Sequence, residues 1–518
     1  MKKDIRKYGV PLLYGALFIY MVWVMADRMP LYGYLRVGLA VLFFFDYFVW
    51  RLFRHSPAMQ GRAWVRKGLT LFYFLPFVLL VVFCAALSFR DLQDWAPFWR
   101  TYLAGSVFVL LSTHFCYGAV WAFFSIMAWF RSGRLARCGK NRVLSGLGRE
   151  GEPDGRRPEA VPVRLDRERP DGKFPYQAAG YASFLLLLLI VYAMIISTFN
   201  LRIDKIDMRR ENPDRPVPEG LRGYKILQIS DLHIGSFTSA RQVRSLVRQA
   251  LLTRPDMIVF TGDMVNFSTS EMTPFMSDLA HLQAPDGVYC VLGNHDYGNY
   301  AQWPDKNAKY ANFQKMLDYY KRLGWVTLNN ASVKIERGGD TLWLIGVENW
   351  GKEGRFPKRG NLKKAMLPES VIEVRQSWRQ AGKEKVEPLN VPGNAKADAA
   401  VSAGLSVDPG ALASSGKAAT RSGGQYTVLL SHDPTHFDSV VYLRYPKIDL
   451  TLSGHTHGMQ VGFRINGKDY SPARFAYEHF SGMYIMANGQ ALYVNTGCGF
   501  NGIPFRIGMR PNLTLFSL

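Results

Sequence analysis

Five short polar clusters in the second half of the chain carry residue types that metal chemistry uses. They are Asp231-Leu-His233, Gly262-Asp263, Gly293-Asn294-His295-Asp296, His432 and Gly454-His455-Thr456-His457. Asp231, His233, Asp263, Asn294, His432, His455 and His457 supply oxygen and nitrogen donors and no thiolate. Such a set suits Mn, Fe or Zn better than Cu(I) or an iron–sulfur cluster. Seven ligands exceed what one tetrahedral or octahedral protein site takes, whereas two ions sharing a carboxylate would use them all. Ions paired about 3.5–4 Å apart can clamp the attacking and leaving oxygens of an in-line phosphoryl displacement. Any one of these clusters is a common accident; all five in one chain are not.

Their positions sharpen the point. Each cluster follows a short β-rich apolar run: Tyr224–Ser230, Met257–Thr261, Gly287–Leu292, Tyr426–Ser431 and Ile448–Ser453. A helical stretch around Ala240–Leu252, with Val243, Leu246 and Val247 on one face, separates the first two. Strands interleaved with helices predict an α/β domain, and in open α/β sheets sites form beyond the carboxyl ends of strands. The donors are therefore expected to converge on one sheet edge.

The series Asp231-x-His233, Gly262-Asp263, Gly293-Asn294-His295-Asp296, His432 and Gly454-His455-x-His457 resembles the calcineurin-like metallophosphoesterase superfamily. Gly454-His-Thr-His-Gly-Met-Gln460, Tyr493-Val-Asn-Thr-Gly497 and Pro504-Phe-Arg506 look like its membrane-associated bacterial phosphodiesterase branch. The resemblance covers about residues 200–518. It implies a four-layer α/β/β/α sandwich of two mixed sheets binding two divalent metal ions. Asp231, His233, Asp263 and His457 would hold the first; Asp263 would bridge to a second, held also by Asn294, His432 and His455. A metal-bound hydroxide would then attack phosphorus. His295 would face the phosphate and protonate or stabilise the leaving oxygen, oriented by a carboxylate such as Asp296. Arg506 is the best candidate for a substrate phosphate contact. The interval before His432 departs from the compact pattern, since about Pro388–Gly424 is rich in Ala, Ser and Gly and reads as a disordered insertion. The basic residues Arg355, Lys358, Arg359, Lys363 and Lys364 precede it, where a solvated face, a lid or an anionic-lipid contact are all open readings.

The first 200 residues have a different texture. Apolar stretches at 8–25, 31–50, 68–88, 101–130 and 181–197 approach the roughly 20 residues that a helix needs to span a bilayer. Five transmembrane helices are expected, the second weakest because Asp46 and Arg36 fall in or near it. The first reads as an uncleaved anchor, for it lacks a clear small-residue cleavage site. Lys2, Lys3, Arg6 and Lys7 precede the first span; Arg51, Arg54, Arg62, Arg66 and Lys67 follow the second; a basic loop follows the fourth. Positive residues collect on the cytoplasmic side, which places the N-terminus inside and the soluble domain outside the cytoplasm. The organisation is thus 1–130 with four helices, a basic cytoplasmic linker at 131–176, a fifth helix at 177–198 and the α/β domain at 199–518. Asp46, His114 and Cys116 are intramembrane polar groups, either functional or hydrogen-bonding between helices.

The net charge of +22 from 63 basic and 41 acidic side chains could point to nucleic acid. Yet residues 1–200 carry 25 basic and 12 acidic residues, so most of the excess lies in loops that set membrane orientation. Five cysteines in 518 residues exclude a disulfide scaffold, and Cys290 and Cys498 read as core residues. The expected activity is a bilayer-anchored phosphoesterase, facing away from the cytoplasm at a bacterial inner membrane, acting on phosphodiesters of lipid-linked or envelope substrates. No nucleic-acid partner is expected. The alternatives are a metal-dependent nuclease or nucleotide phosphodiesterase, and a receptor or scaffold with a structural metal site.

Overall fold

The computed structural model describes residues 10–28, 45–146, 173–352, 356–373 and 423–518. They divide into two compact units, one of the described residues up to 90 and between 103 and 191, the other of those between 91 and 102 and from 192 onward.

The first unit is helical. Three helices among the described residues are long and apolar enough to cross a membrane: Ala63–Phe89, Pro97–Phe130 and Phe174–Phe199. They coincide with the third, fourth and fifth expected spans. Val10–Arg28 is helical across the first; residues 31–44 of the second lie outside the described residues. The fourth helix continues beyond Phe130 to Gly146, so the segment expected to begin a polar linker begins as helix. The rest of that linker, 147–172, lies outside the described residues, as does nearly all of the expected insertion at 388–424. Asp46 meets the Tyr73 hydroxyl at 2.9 Å and His114 Nδ1 at 2.8 Å, and the Tyr73 and His114 rings stack at 4.2 Å.

The second unit holds two six-stranded sheets. In chain order its strands are β1 Arg202–Asp207, β2 Lys225–Ile229, β3 Met257–Phe260, β4 Val288–Cys290, β5 Val326–Thr327, β6 Ala331–Arg337, β7 Asp340–Gly346, β8 Gln425–Leu430, β9 Leu450–Ser453, β10 Phe463–Ile465, β11 Lys468–Tyr470, β12 Gly482–Ile485, β13 Ala491–Val494 and β14 Asn512–Ser517. The first sheet runs β1-β14-β2-β3-β4-β5 and the second β12-β13-β9-β8-β7-β6, while β10 and β11 form a separate hairpin. Both sheets are mixed: β2, β3, β4 and β5 are parallel, as are β7, β8, β9 and β13, whereas β14 opposes β2 and β12 opposes β13.

Side-chain alternation along the strands explains the layering. In β3, Ile258 and Phe260 join an apolar core with Val243, Leu246 and Val247 of the helix Ala240–Leu252 and with Met316 and Tyr320 of Lys306–Arg322. Met257 and Val259 point the other way, into a core shared with Tyr426, Val428 and Leu430 of β8 and Tyr493 of β13. Leu429, Leu492 and Val494 then face a third core covered by Leu362, Ala365, Phe437 and Val441. Helices, sheet, sheet and short helical segments stack as four layers. Cys290 and Cys498 are buried thiols in this scaffold, as expected.

Candidate metal centre

The parallel strands of the two sheets end at one place, and there the loops deliver the seven donors. Asp231 and His233 follow β2, Asp263 follows β3, and Asn294 follows β4; His432 follows β8, and His455 and His457 follow β9. Cross-links hold the loop bases together. Asp231 N donates to Gly262 O at 2.9 Å, Gly454 N to His432 O at 2.9 Å, and Gln228 Nε2 to Ser453 O at 2.9 Å across the sheets.

The loops are tight enough to strain the backbone. Asp231, His233, Asp263, His455 and His457 all adopt positive φ, between 42° and 73°. Left-handed backbone at non-glycine residues is unfavourable and persists only where the surroundings over-determine it. The glycines before two of the donors have a related cause: a Cβ on Gly293 would collide with the Asp263 carboxylate, and one on Gly454 with Ser230 and Asp231.

The imidazoles are aimed by their second nitrogens. Nδ1 of His432 donates to Thr261 O at 2.7 Å, that of His233 to Val265 O at 3.2 Å and that of His295 to Asn266 O at 2.7 Å. Such bonds fix the tautomer and leave Nε2 as the lone-pair donor. His455 is turned the opposite way, with Nε2 at 3.1 Å from the Tyr477 hydroxyl and Nδ1 at 3.2 Å from His432 Nε2.

The free nitrogens and carboxylates form overlapping groups. Asp231, His233 and His457 offer ligand atoms within 4.8 Å of one another, as do Asp263, His432 and His455, and His233, Asp263 and His295. His457 Nε2 lies 3.4 Å from Asp231 Oδ1. Asp263 Oδ2 lies 3.7 Å from His233 Nε2 and 3.2 Å from His432 Nε2, facing both sides. Asn294 Oδ1 is 3.2 Å from His432 Nε2. All of these side chains are buried, although the His455 residue as a whole is partly exposed.

The electrostatics suit bound cations. Burial, reinforced by a neighbouring charge of the same sign, depresses His233 to about 3. Burial likewise depresses His455 to about 4 and His457 well below its ordinary range. Imidazoles so placed stay neutral, the form that ligates. Burial pushes Asp231 up to about 6, whereas Asp263 is held well below the carboxylate range because His432, His295 and His233 outweigh its desolvation. His432 rises to about 10, the pull of Asp263 overcoming burial. Buried carboxylates with three neutral imidazoles, and a fourth, His432, whose proton faces Asp263 where an ion would replace it, are a donor set that a divalent ion completes, so these residues fit the metals that the sequence implied.

The sequence model of the calcineurin-like phosphoesterase family matches residues 224–459. The α/β domain belongs to that family. The enzyme is accordingly a metal-dependent phosphoesterase, and with its apolar helices it is a membrane protein. An uncharacterized metallophosphoesterase of Bacillus subtilis (strain 168) is 25% identical over 304 residues, covering 58% of this chain and 81% of the relative. A transmembrane protein with metallophosphoesterase domain from Danio rerio is 24% identical over 336 residues, 64% of this chain and 61% of that one. A UDP-2,3-diacylglucosamine pyrophosphatase of Chlamydia muridarum (strain MoPn / Nigg) is 40% identical over 81 residues, 15% of this chain and 25% of the relative.

Around the phosphoesterase donors, two side chains sit otherwise than expected. Asp296 does not orient His295. Its carboxylate accepts the backbone N–H groups of Asp263, Met264 and Gly293 at 2.8–3.0 Å, fixing the loop that carries Asp263. Consecutive residues in this turn point apart, which gives His295 to the Asn266 carbonyl instead. Arg506 is not aimed at a substrate. It is fully buried, and its guanidinium donates to the carbonyls of Gly499, Thr496 and Met509 and to His457 Nδ1 at 3.1 Å. It braces the His457 loop from behind. Lys358 and Arg359 are exposed and stack over Trp350 and Tyr297; Arg355 lies outside the described residues.

Other contacts carried no local signal in the sequence. Tyr300 stacks on His295 at 4.0 Å and accepts from Asn294 Nδ2 at 2.8 Å, while Asn501 Nδ2 approaches His295 Nε2 at 3.1 Å. These partners are loop residues remote from the motifs or offset from them by irregular spacings, so no periodicity marks them.

Proposed function

We propose that the centre takes two divalent ions and that the protein hydrolyses phosphodiesters of lipid-linked or envelope molecules outside the cytoplasm. The observation that carries the binuclear reading is Asp263 Oδ2, which stands between His233 Nε2 and His432 Nε2. Asp231, His233 and His457 would hold one ion, Asn294, His432 and His455 the other, with Asp263 shared. Bound there, the pair would supply a nucleophile at neutral pH and neutralise charge on the phosphoryl oxygens. The protein's own side chains do the rest. With Nδ1–H held on Asn266 O, His295 carrying a second proton on Nε2 would pass that proton to the leaving oxygen and return to the neutral tautomer.

A lipid-linked substrate is supported by the surface beside His457. The β10–β11 hairpin follows the His455–Gln460 loop directly and exposes Phe463, Ile465 and Tyr470, with Met459 and Phe475 exposed nearby. Ser471 Oγ ties this region to Gly458 O. Exposed large apolar side chains grouped beside a site are matched to apolar ligands or bilayers. The name of the Chlamydia relative, a pyrophosphatase of a diacylated nucleotide sugar, is in keeping with that chemistry.

The test is hydrolysis of bis-p-nitrophenyl phosphate by the full chain in detergent micelles, with Mn²⁺ against chelator, and metal content measured in parallel. Turnover that survives chelation, or one ion per chain at full activity, rules out the binuclear reading. A reporter fused after residue 518 tests the side of the membrane, and a cytoplasmic signal overturns the envelope substrates.

A further inference from the structure

Residues Asp91–Tyr102, which span the joint after the apolar helix Ala63–Phe89 and the start of the helix Pro97–Phe130, belong to the compact unit of the phosphoesterase domain. Two of its side chains reach loops that flank His295. Gln93 pairs with the backbone of Gln302 in both directions: Nε2 donates to Gln302 O at 2.8 Å, and Gln302 N donates to Gln93 Oε1 at 2.7 Å. Two residues earlier, Tyr300 stacks on one face of the His295 ring. Arg100 is buried and makes a 2.9 Å ion pair with the buried side chain of Glu271, while its other terminal nitrogen donates to Gly235 O at 2.6 Å. Glu271 accepts from Asn266 N at 2.6 Å, and Asn266 O receives the Nδ1–H of His295.

These are independent paths to one ring. The first sets the plane on which His295 stacks, and the second sets the carbonyl that fixes its tautomer. Arg100 also braces the turn two residues beyond His233. A buried ion pair of this kind is weak evidence for stability in itself, since desolvation offsets the attraction. Its value here is geometric, because displacement of a proton-transferring group by about 1 Å lowers turnover on the order of 10²-fold.

We propose that Asp91–Tyr102 is a built-in positioning element for His295, acting through Gln93 on the Tyr300 loop and through Arg100 and Glu271 on Asn266. The phosphoesterase domain thereby takes part of its catalytic geometry from chain that lies before the last apolar helix. The inference rests on the reading of His295 as the group that serves the leaving oxygen.

The experiment is a double-mutant cycle on the full chain in detergent micelles, with Mn²⁺ and bis-p-nitrophenyl phosphate. Gln93→Ala and Arg100→Gln should each lower kcat about tenfold, as loss of groups that orient an active-site side chain does, with KM and metal content unchanged. In a His295→Ala background neither should slow the enzyme further, because the group they position is gone. Equal losses in both backgrounds, or no loss beside His295, overturn the proposal. Full turnover by His295→Ala alone sinks the underlying reading of His295 instead, and the two failures are told apart by which variant shows them. Should the lone Glu271 charge left by Arg100→Gln unfold the domain, Gln93→Ala carries the test, since it strands no buried charge.

Discussion

Both halves of the molecule bury a histidine against an aspartate, and the two arrangements have opposite consequences. In the helical unit His114 Nδ1 and the Tyr73 hydroxyl close on Asp46, and the rings of Tyr73 and His114 stack. That cluster satisfies itself. In the phosphoesterase domain the imidazoles of His233 and His432 bond first to backbone carbonyls, and their second nitrogens face inward towards the shared Asp263 carboxylate. Residue type is the same in both places; what differs is the anchor. Side chains that bond to each other glue helices together, whereas side chains held from behind by the main chain present a converging set of lone pairs that an external cation completes.

The comparison can be broken, most forcefully, at Asp263. Asp263→Asn should lower hydrolysis by on the order of 10³-fold or more, the equivalent of losing several kcal/mol of transition-state stabilisation by metals. Metal analysis should show the ions lost or halved; full loading at full rate would end the claim that this carboxylate is shared. His295→Ala comes next, with kcat reduced about 10²-fold and metal content intact. Its separation from metal loss is what distinguishes a proton-handling group from a ligand.

Behind the ligands, Arg506→Met should destabilise the domain by about 3 kcal/mol, since it strips charged donors from buried carbonyls. Denaturant unfolding of the solubilised chain checks this, and an unchanged midpoint would mean that the loop needs no brace. The smallest effect is expected where the cluster is closed. Replacing Asp46 and His114 together by Leu should change stability by about 1–2 kcal/mol and leave hydrolysis in micelles within about twofold. A tenfold loss of turnover from that pair would show that the helical cluster is more than glue.

The strands and the seven donors were legible because each follows a short apolar run with a polar stop, a pattern set by local burial. The sheets' alternation was legible for the same reason: residues such as Ile258 and Val259 need opposite apolar surroundings. What surrounds the donors was not. Asp296 stands beside His295 in sequence yet serves the Asp263 loop, because a tight turn sends neighbouring side chains in different directions. Arg506 carries the residue type of a phosphate ligand, but its partners are carbonyl oxygens, which leave no mark on composition. Gln93 and Arg100 meet partners 209 and 171 residues away, so no local pattern could pair them. The helix that persists to Gly146 shows the same limit, for a run rich in Arg and Lys reads as loop until its helical backbone is seen.

The order of the first sheet has a consequence for how the protein is made. β14 lies between β1 and β2, and β1, which follows the last apolar helix, pairs with β14 in parallel. Arg510, just before β14, bonds to Asn200, 310 residues earlier. At about 5–20 residues per second, a ribosome needs roughly 15–60 s to supply the strand that β1 awaits. During that interval β1 and one edge of β2 stand open, exposing unpaired backbone groups at the point where the nascent domain leaves its last apolar helix. Closure must therefore come late, and newly made chains should pass through a protease- and chaperone-sensitive stage that ends only when β14 inserts.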